Sequence, residues 1–238
     1  MINTVRVRGI DLAYEDVGPT DDDAPDAAPL VWGHGLSRSV AEDDQFPMID
    51  WQRIRRTRRV VRFDARGHGE SGPLASPVDG AWDRLALDEV GLIEALSLPE
   101  VVLGGASMGT ATALHAALNL GDRVRGLVLT IPPTVWNTRS DQARLYEAMA
   151  QIVDEGGVEP LIEASAAVPP PDPFAEIDDF NQLRAASLRR ADPKRLAAVF
   201  RGAAHADLPG PDAVATIAAP TLILAWSGDP GHPVSTAE

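Results

Sequence analysis

The sequence predicts an α/β fold with a mostly parallel central sheet, and two observations support this. Several short segments are continuously apolar, as strands buried on both faces of a sheet are. They are residues 30–32, 60–63, 101–103, 126–131 and 221–226. Helical stretches separate most of these segments. Strands that alternate with helices in this way favour a parallel sheet with right-handed crossovers.

The remaining elements of the first half follow from periodicity and from breakers. Residues 4–8 and 11–17 alternate between apolar and polar, with Gly9 between them, which predicts an antiparallel hairpin. Residues 83–98 carry one apolar face and end before Pro99, which predicts a helix.

Residues between 131 and 220 depart from the alternation. A helical stripe runs through residues 141–155, and Asp192-Pro193 begins a second helix. The proline-rich segment 168–173 fits neither a helix nor a paired strand, so we expect an extended connection. No buried strand is expected in this region.

A serine lies between small residues at the end of one predicted strand. Residues 104–109 are Gly-Gly-Ala-Ser-Met-Gly, and a helical segment that ends at Gly121 follows them. A sharp strand-to-helix turn leaves the central serine in a strained backbone conformation and leaves no room for side chains at Gly105 and Gly109. The pattern therefore predicts that Ser107 is a nucleophile.

Two further glycine-rich turns precede the serine, each after an apolar strand. Residues 30–36 end in Gly-His-Gly-Leu, and residues 60–72 contain Asp-Ala-Arg-Gly-His-Gly-Glu-Ser-Gly. Together with the segment around Ser107 they resemble the α/β-hydrolase superfamily, and the resemblance spans residues 1–238. It implies a mostly parallel sheet flanked by helices, with a helical cap inserted over the active site.

The resemblance also divides the chain. It implies that residues 1–133 are the first part of the hydrolase core, that residues 134–210 are the helical cap, and that residues 211–238 are a truncated second part of the core. A C-terminal strand and helix of the family pattern are expected to be missing.

A serine nucleophile needs a histidine base and a carboxylate that orients the histidine. The chain order in the family is serine, acid, histidine. The resemblance assigns the acid to Asp229, just beyond the predicted strand 221–226. It assigns the oxyanion hole to the backbone N–H groups of Leu36 and Met108.

The histidine of the family pattern follows one more helix and one more strand, yet the chain stops at Glu238. We therefore expect that residues 1–238 lack the catalytic histidine and that the base lies beyond residue 238. His232, three residues after Asp229, is only a weak candidate for the base.

The other histidines have simpler interpretations. His34 and His68 belong to the two glycine-rich turns, where we expect structural hydrogen bonds. His115 is expected to pack within the helix behind the serine. The role of His205, near the end of the helix that begins at Pro193, stays open.

Composition limits the class of protein. A chain of 238 residues with 45% hydrophobic residues can bury one sizeable core. Its net charge of −14 argues against nucleic acid or an anionic membrane as a partner. It has no cysteine, no N-terminal signal pattern and no apolar run of the roughly 18 residues that a membrane span needs. We expect a cytoplasmic protein.

No cofactor or metal is expected. Residues 67–72 satisfy Gly-x-Gly-x-x-Gly, but Pro73 follows, so no helix N-terminus is available for a pyrophosphate. No cluster has the spacing of zinc ligands.

These features predict a serine hydrolase that cleaves a small or medium carboxylic ester, lactone or related acyl compound through an acyl-enzyme. Cofactor-free perhydrolysis and C–C bond hydrolysis are alternatives on the same fold. If the natural chain ends at Glu238 and so lacks the base, it could instead be a catalytically silent binding protein that uses the cap pocket as a receptor.

Overall fold

The central feature of the computed structural model is a seven-stranded sheet, seen within residues 1–21, 26–45, 49–177 and 179–238, which the structure describes. The strand order is β1-β2-β4-β3-β5-β6-β7. The strands are β1 (Ile2–Val7), β2 (Ile10–Val17), β3 (Leu30–Gly33), β4 (Val60–Phe63), β5 (Val101–Ala106), β6 (Val124–Thr130) and β7 (Thr221–Leu224). Pairing is antiparallel for β1 with β2 and for β2 with β4, and parallel elsewhere. The predicted α/β fold and N-terminal hairpin are confirmed.

Helices connect most of the parallel strands. They are α1 (Val40–Gln45), α2 (Trp51–Thr57), α3 (Trp82–Ala95), α4 (Met108–Leu120), α5 (Arg139–Gly156), α6 (Glu159–Ala166), α7 (Phe180–Arg190), α8 (Pro193–Ala204) and α9 (Pro211–Val214). The predicted helices 83–98 and 141–155 correspond to α3 and α5. Asp192 caps α8, where its side chain accepts a 2.9 Å hydrogen bond from the N–H of Arg195.

The main core lies between the sheet and the helices α3 and α4. It is built from small and branched side chains of α4, such as Ala113 and Leu114, and from fully buried side chains of the central strands, such as Val31 and Leu103. Strands β3 and β4 are buried along their whole length. This burial on both faces explains why the corresponding sequence segments are apolar apart from the buried Arg62.

A second apolar cluster joins the helices between β6 and β7. Helices α5, α6, α7 and α8 contribute to it, with Val153 and Phe200 almost fully buried. The described residues between Thr130 and Thr221 contain no strand. The proline-rich segment differs from the expectation of a wholly extended connection, because a short 3₁₀ turn forms at Asp172–Phe174. A proline at the start of such a turn loses no hydrogen bond.

Strand β7 is at one edge of the sheet and pairs with β6 alone among the described strands. Its side chains are exposed: Leu222 is 54% exposed and Leu224 is 47% exposed. No helix among the described residues is long and apolar enough to cross a membrane.

A buried carboxyl on α3 has a predictable effect on stability. Burial raises the pKa of Glu89 from 4.5 to about 8, and its Oε1 has no hydrogen-bond partner among the described residues. Between pH 4.5 and about 8 the native state binds this proton more tightly than the unfolded state does. The contribution of Glu89 to the free energy of unfolding therefore falls as the pH rises through this range. We expect Glu89→Gln to raise the free energy of unfolding at pH 8.5 by on the order of 1–4 kcal/mol, with a much smaller gain at pH 5.

The measurement is urea unfolding of both proteins across this pH range. Glu94→Gln, an exposed position on the same helix, controls for the loss of one negative charge. Equal gains at pH 5 and pH 8.5 would contradict the prediction.

Candidate active site

Ser107 lies at the turn from β5 into α4 in a backbone conformation that is rare for a residue with a side chain. Its φ is 51° and its ψ is −109°. The helix packs directly on the strands here: a Cβ atom on Gly105 would lie 2.3 Å from the carbonyl carbon of Gly109, and one on Gly109 would lie 2.0 Å from the carbonyl oxygen of Gly33. Only glycine fits at these two positions, which is the packing reason for the sharp strand-to-helix turn predicted from the sequence.

Hydrogen bonds hold this turn in place. The N–H of Ser107 donates to the carbonyl oxygen of Thr130 at 3.0 Å. The buried hydroxyl of Thr110 lies 2.9 Å from the carbonyl oxygen of Gly105 and 3.0 Å from that of Thr130. Hydrogen bonds to both β5 and β6 therefore stabilise the strained backbone at Ser107.

Asp229 lies in the loop that follows β7, at the carboxyl end of the sheet, as predicted. Its carboxylate accepts hydrogen bonds from His232 at 2.8 Å, from the indole N–H of Trp226 at 3.3 Å and from the N–H of Gly231 at 3.0 Å. Burial acts to raise the pKa of Asp229, but these hydrogen bonds outweigh it and hold the pKa below the usual value. The group is therefore ionised at neutral pH.

His232 lies between Asp229 and Ser107. Its Nδ1 donates to Oδ2 of Asp229 at 2.8 Å, and its Nε2 accepts from the hydroxyl of Ser107 at 2.7 Å. The expectation that no base is within reach of Ser107 is therefore wrong. The weak candidate, His232, is the histidine that the structure brings to the serine.

The geometry of the loop explains this difference. The N–H of His232 donates to the carbonyl oxygen of Asp229 at 3.1 Å, which closes a tight turn after Gly228 (φ 80°). The carbonyl oxygen of Gly231 accepts from the N–H of Thr134 at 3.1 Å. The turn folds His232 back over its own carboxylate, so the pair needs no intervening helix and strand. The signal in the sequence was the Gly-Asp-Pro-Gly-His run itself.

The remaining histidines are remote from this arrangement or hold other bonds. His34 donates to the carbonyl oxygen of Gly35 and accepts from the N–H of Ala65, and burial lowers its pKa to about 4. His68 donates to the carbonyl oxygen of Arg66, and burial lowers its pKa to about 3. Both act as the expected structural histidines of the glycine-rich turns.

His115 also has a bonded role, since its Nε2 donates to the carbonyl oxygen of Asp207 at 2.9 Å. His205 is exposed at the end of α8. Neither lines the cavity beside Ser107.

The two expected oxyanion donors are the N–H group of Met108, next to Ser107 along the chain, and the N–H group of Leu36, on the wall of the same cavity. Met108 is the first residue of α4, and its N–H has no intrahelical acceptor. Leu36 lines the same cavity as Ser107. Neither N–H donates to any acceptor among the described residues, so both are available to a ligand.

The turn after β4 is held by hydrogen bonds to neighbouring elements. The carboxylate of Asp64 accepts from the N–H groups of Val40 and Glu70, each at 2.8 Å. Arg66 forms a bidentate pair with Asp88 of α3, with both bonds at 2.7 Å. Helix α3 begins only at Trp82, so no helix N-terminus follows these glycines directly.

Ser107, Asp229 and His232 open onto one cavity of about 330 Å³. Its walls are mainly apolar and come from the carboxyl end of the sheet and from the helices between β6 and β7; among them are Leu36, Tyr146, Met149, Leu161, Phe200 and Trp226. Within the part of the chain that the structure describes, no group of three or more histidine, aspartate or glutamate side chains is arranged to hold a metal ion.

Comparison with curated proteins identifies relatives that act on lactones. The chain is 26% identical over 216 residues to 3-oxoadipate enol-lactonase 1 of Acinetobacter baylyi, which covers 90% of this chain and 76% of the relative. It is 29% identical over 109 residues to 3-oxoadipate enol-lactonase 2 of the same organism. That second match covers 45% of this chain and only 38% of the relative's length.

The fold is also that of known structures. The enol-lactonase from Burkholderia xenovorans LB400 superimposes with a TM-score of 0.79 at 21% identity, over 98% of this chain and 84% of that one. A thermophilic esterase from Thermogutta terrifontis, solved with malate bound, gives a TM-score of 0.77 at 23% identity over 99% and 83% of the two chains. At these identities the likeness concerns the fold.

A family model described as the alpha/beta hydrolase family matches residues 21–238. The match takes in the strained serine turn, both glycine-rich turns and the loop that carries Asp229 and His232. This chain therefore belongs to the alpha/beta hydrolase family.

Proposed function

We propose that the protein hydrolyses small or medium carboxylic esters or lactones through an acyl-enzyme formed on Ser107. The observation that carries the proposal is the pair of hydrogen bonds that joins Ser107 to His232 at 2.7 Å and His232 to Asp229 at 2.8 Å. The names of the relatives, enol-lactonases and an esterase, support the same class of substrate.

In the first half of the proposed reaction, the Ser107 oxygen attacks the substrate carbonyl carbon while its proton passes to Nε2 of His232. Asp229 holds the Nδ1–H tautomer and stabilises the imidazolium that forms. The free N–H groups of Leu36 and Met108 donate to the oxyanion. When the tetrahedral intermediate collapses, His232 returns the proton to the leaving alkoxide.

In the second half, His232 takes a proton from water while the water oxygen attacks the carbonyl carbon of the acyl-enzyme. When this second tetrahedral intermediate collapses, His232 returns the proton to the Ser107 oxygen, and the carboxylic acid is released. Of the described residues, those of α5 to α8 that line the cavity limit the size of the acyl group and screen the acyl-enzyme from bulk water. We take these helices to be the cap predicted for residues 134–210.

A catalytically silent binding protein is less well supported. That alternative depended on the lack of a base near the serine, and a histidine is within hydrogen-bond distance of its hydroxyl.

Ser107→Ala tests the nucleophile. We expect hydrolysis of p-nitrophenyl acetate to fall by about 10⁴–10⁶-fold, because no other group can form the acyl-enzyme. Labelling by a fluorophosphonate should disappear as well. Ser140→Ala, an exposed serine on α5, is the matched control. Retention of activity and labelling by the Ser107 variant would refute the acyl-enzyme mechanism.

His232→Ala tests the base. Turnover should drop by roughly 10³-fold or more, because the serine hydroxyl then has no proton acceptor. His205→Ala, an exposed histidine, should leave the rate unchanged. If the His232 variant hydrolyses the ester at the wild-type rate, another group is the base, and the proposed role of His232 is wrong.

Asp229→Asn tests the orienting carboxylate. We expect turnover to fall by about 10⁴-fold, since asparagine stabilises the wrong imidazole tautomer. Asp212→Asn, an exposed position on α9, is the control, and circular dichroism verifies that both variants fold. A near-normal rate in a folded Asp229 variant would mean that a different acid orients the histidine.

A further inference from the structure

One face of α7 forms part of the cavity wall. Phe180, Arg184, Ser187 and Leu188 all line the cavity, and their spacing of four, seven and eight residues puts them on the same side of the helix. Ser187 is held there by a hydrogen bond to Glu42. Arg184 is therefore fixed by its helix toward the cavity that contains Ser107.

Arg184 differs from the other arginines of its helix. Arg189 is paired with Glu159 and Arg190 donates to Gln45, both at the surface. Arg184 makes no hydrogen bond and no ion pair with any residue in the described ranges. It is only partly exposed, and burial lowers the pKa of its guanidinium. A guanidinium stays charged at neutral pH. Burial removes part of its hydration, and no hydrogen bond to these residues replaces the water that is lost.

The other charged groups of the cavity have partners. Arg38 and Asp43 lie 3.9 Å apart across one wall, and burial raises the pKa of Asp43 to about 6. Asp229 attracts Arg184 through space, but its oxygens are already bonded to His232, Trp226 and Gly231. The donors of Arg184 are therefore left for a ligand.

We propose that Arg184 is a specificity-determining residue that binds a carboxylate on the substrate, away from the reacting carbonyl. The inference rests on the proposed function and narrows its substrate class to half-esters of short dicarboxylic acids and to lactones that carry a carboxylate. Both Ser107 and Arg184 open onto the same cavity of about 330 Å³, so one small molecule can contact both. A guanidinium matches a carboxylate with two parallel hydrogen bonds.

The test compares two esters of similar shape. Monoethyl glutarate carries a carboxylate where ethyl 5-methylhexanoate carries an isopropyl group. We expect Arg184→Gln to lower the ratio of kcat/KM for the anionic ester to kcat/KM for the neutral ester by about 10- to 100-fold, mainly through KM for the anionic ester. Arg184→Lys should restore part of the ratio, because it keeps the charge but not the paired geometry. Acid release in a pH-stat gives the rates.

Arg189→Gln is the matched control, since it removes the same charge from the opposite side of α7. It should leave the ratio within about twofold of the wild-type value, because an exposed pair contributes little. If Arg184 acts only on Asp229 through space, its replacement changes kcat/KM for both esters by the same factor and leaves their ratio unchanged. An unchanged ratio in the Arg184→Gln variant overturns the proposal.

A binding experiment separates this inference from the proposed function. Calorimetric titration with glutarate should detect binding to the wild type and to the Ser107→Ala variant. The Arg184→Gln variant should bind glutarate with an affinity at least about tenfold lower. If the wild type hydrolyses neither ester, the proposed function fails, while this titration still decides the carboxylate site. Equal affinities for wild type and Arg184→Gln overturn the site whatever the outcome of the kinetics.

Discussion

The contact between α4 and the strands beneath it is the constraint on which the site depends. Gly105 and Gly109 let the backbone of the helix approach β3 and β5 to a distance that no side chain permits. The chain can reach that position only by passing through the positive φ of Ser107. The conformation that exposes the hydroxyl is therefore a consequence of tight packing in the core. Hydrogen bonds to Thr130 at the end of β6 stabilise this strained conformation.

The other side of the site is built differently. Asp229 and His232 belong to one short loop whose internal hydrogen bonds set their relative position, and a bond from Thr134 ties that loop to the chain beyond β6. The cavity wall comes from yet another part of the chain, the helices between β6 and β7. This separation fits a family in which one serine turn serves many substrates, because the wall can change without disturbing the serine.

Much of the sheet and the serine turn could be predicted because local sequence determines them. Continuous apolar runs mark strands buried on both faces, and two glycines mark the close approach. His232 escaped prediction because its role depends on the curvature of a four-residue turn rather than on the order of elements. Helices α6 and α7 were not predicted because proline and polar residues near their ends obscure the apolar stripe. Arg184 could not be placed without knowing which face of α7 meets the cavity.

The loop that carries both the acid and the base has a consequence for how the protein loses activity. Ser107 follows a strand buried in the main core and bonds to the neighbouring strand, whereas Asp229 and His232 belong to one partly exposed loop that depends on its own short turn and on a bond from Thr134. Segments with few buried apolar contacts open at a lower free energy than the core does. Mild heat or denaturant should therefore detach the acid and the base from the serine while the sheet and its helical signal in circular dichroism persist, so inactivation precedes global unfolding.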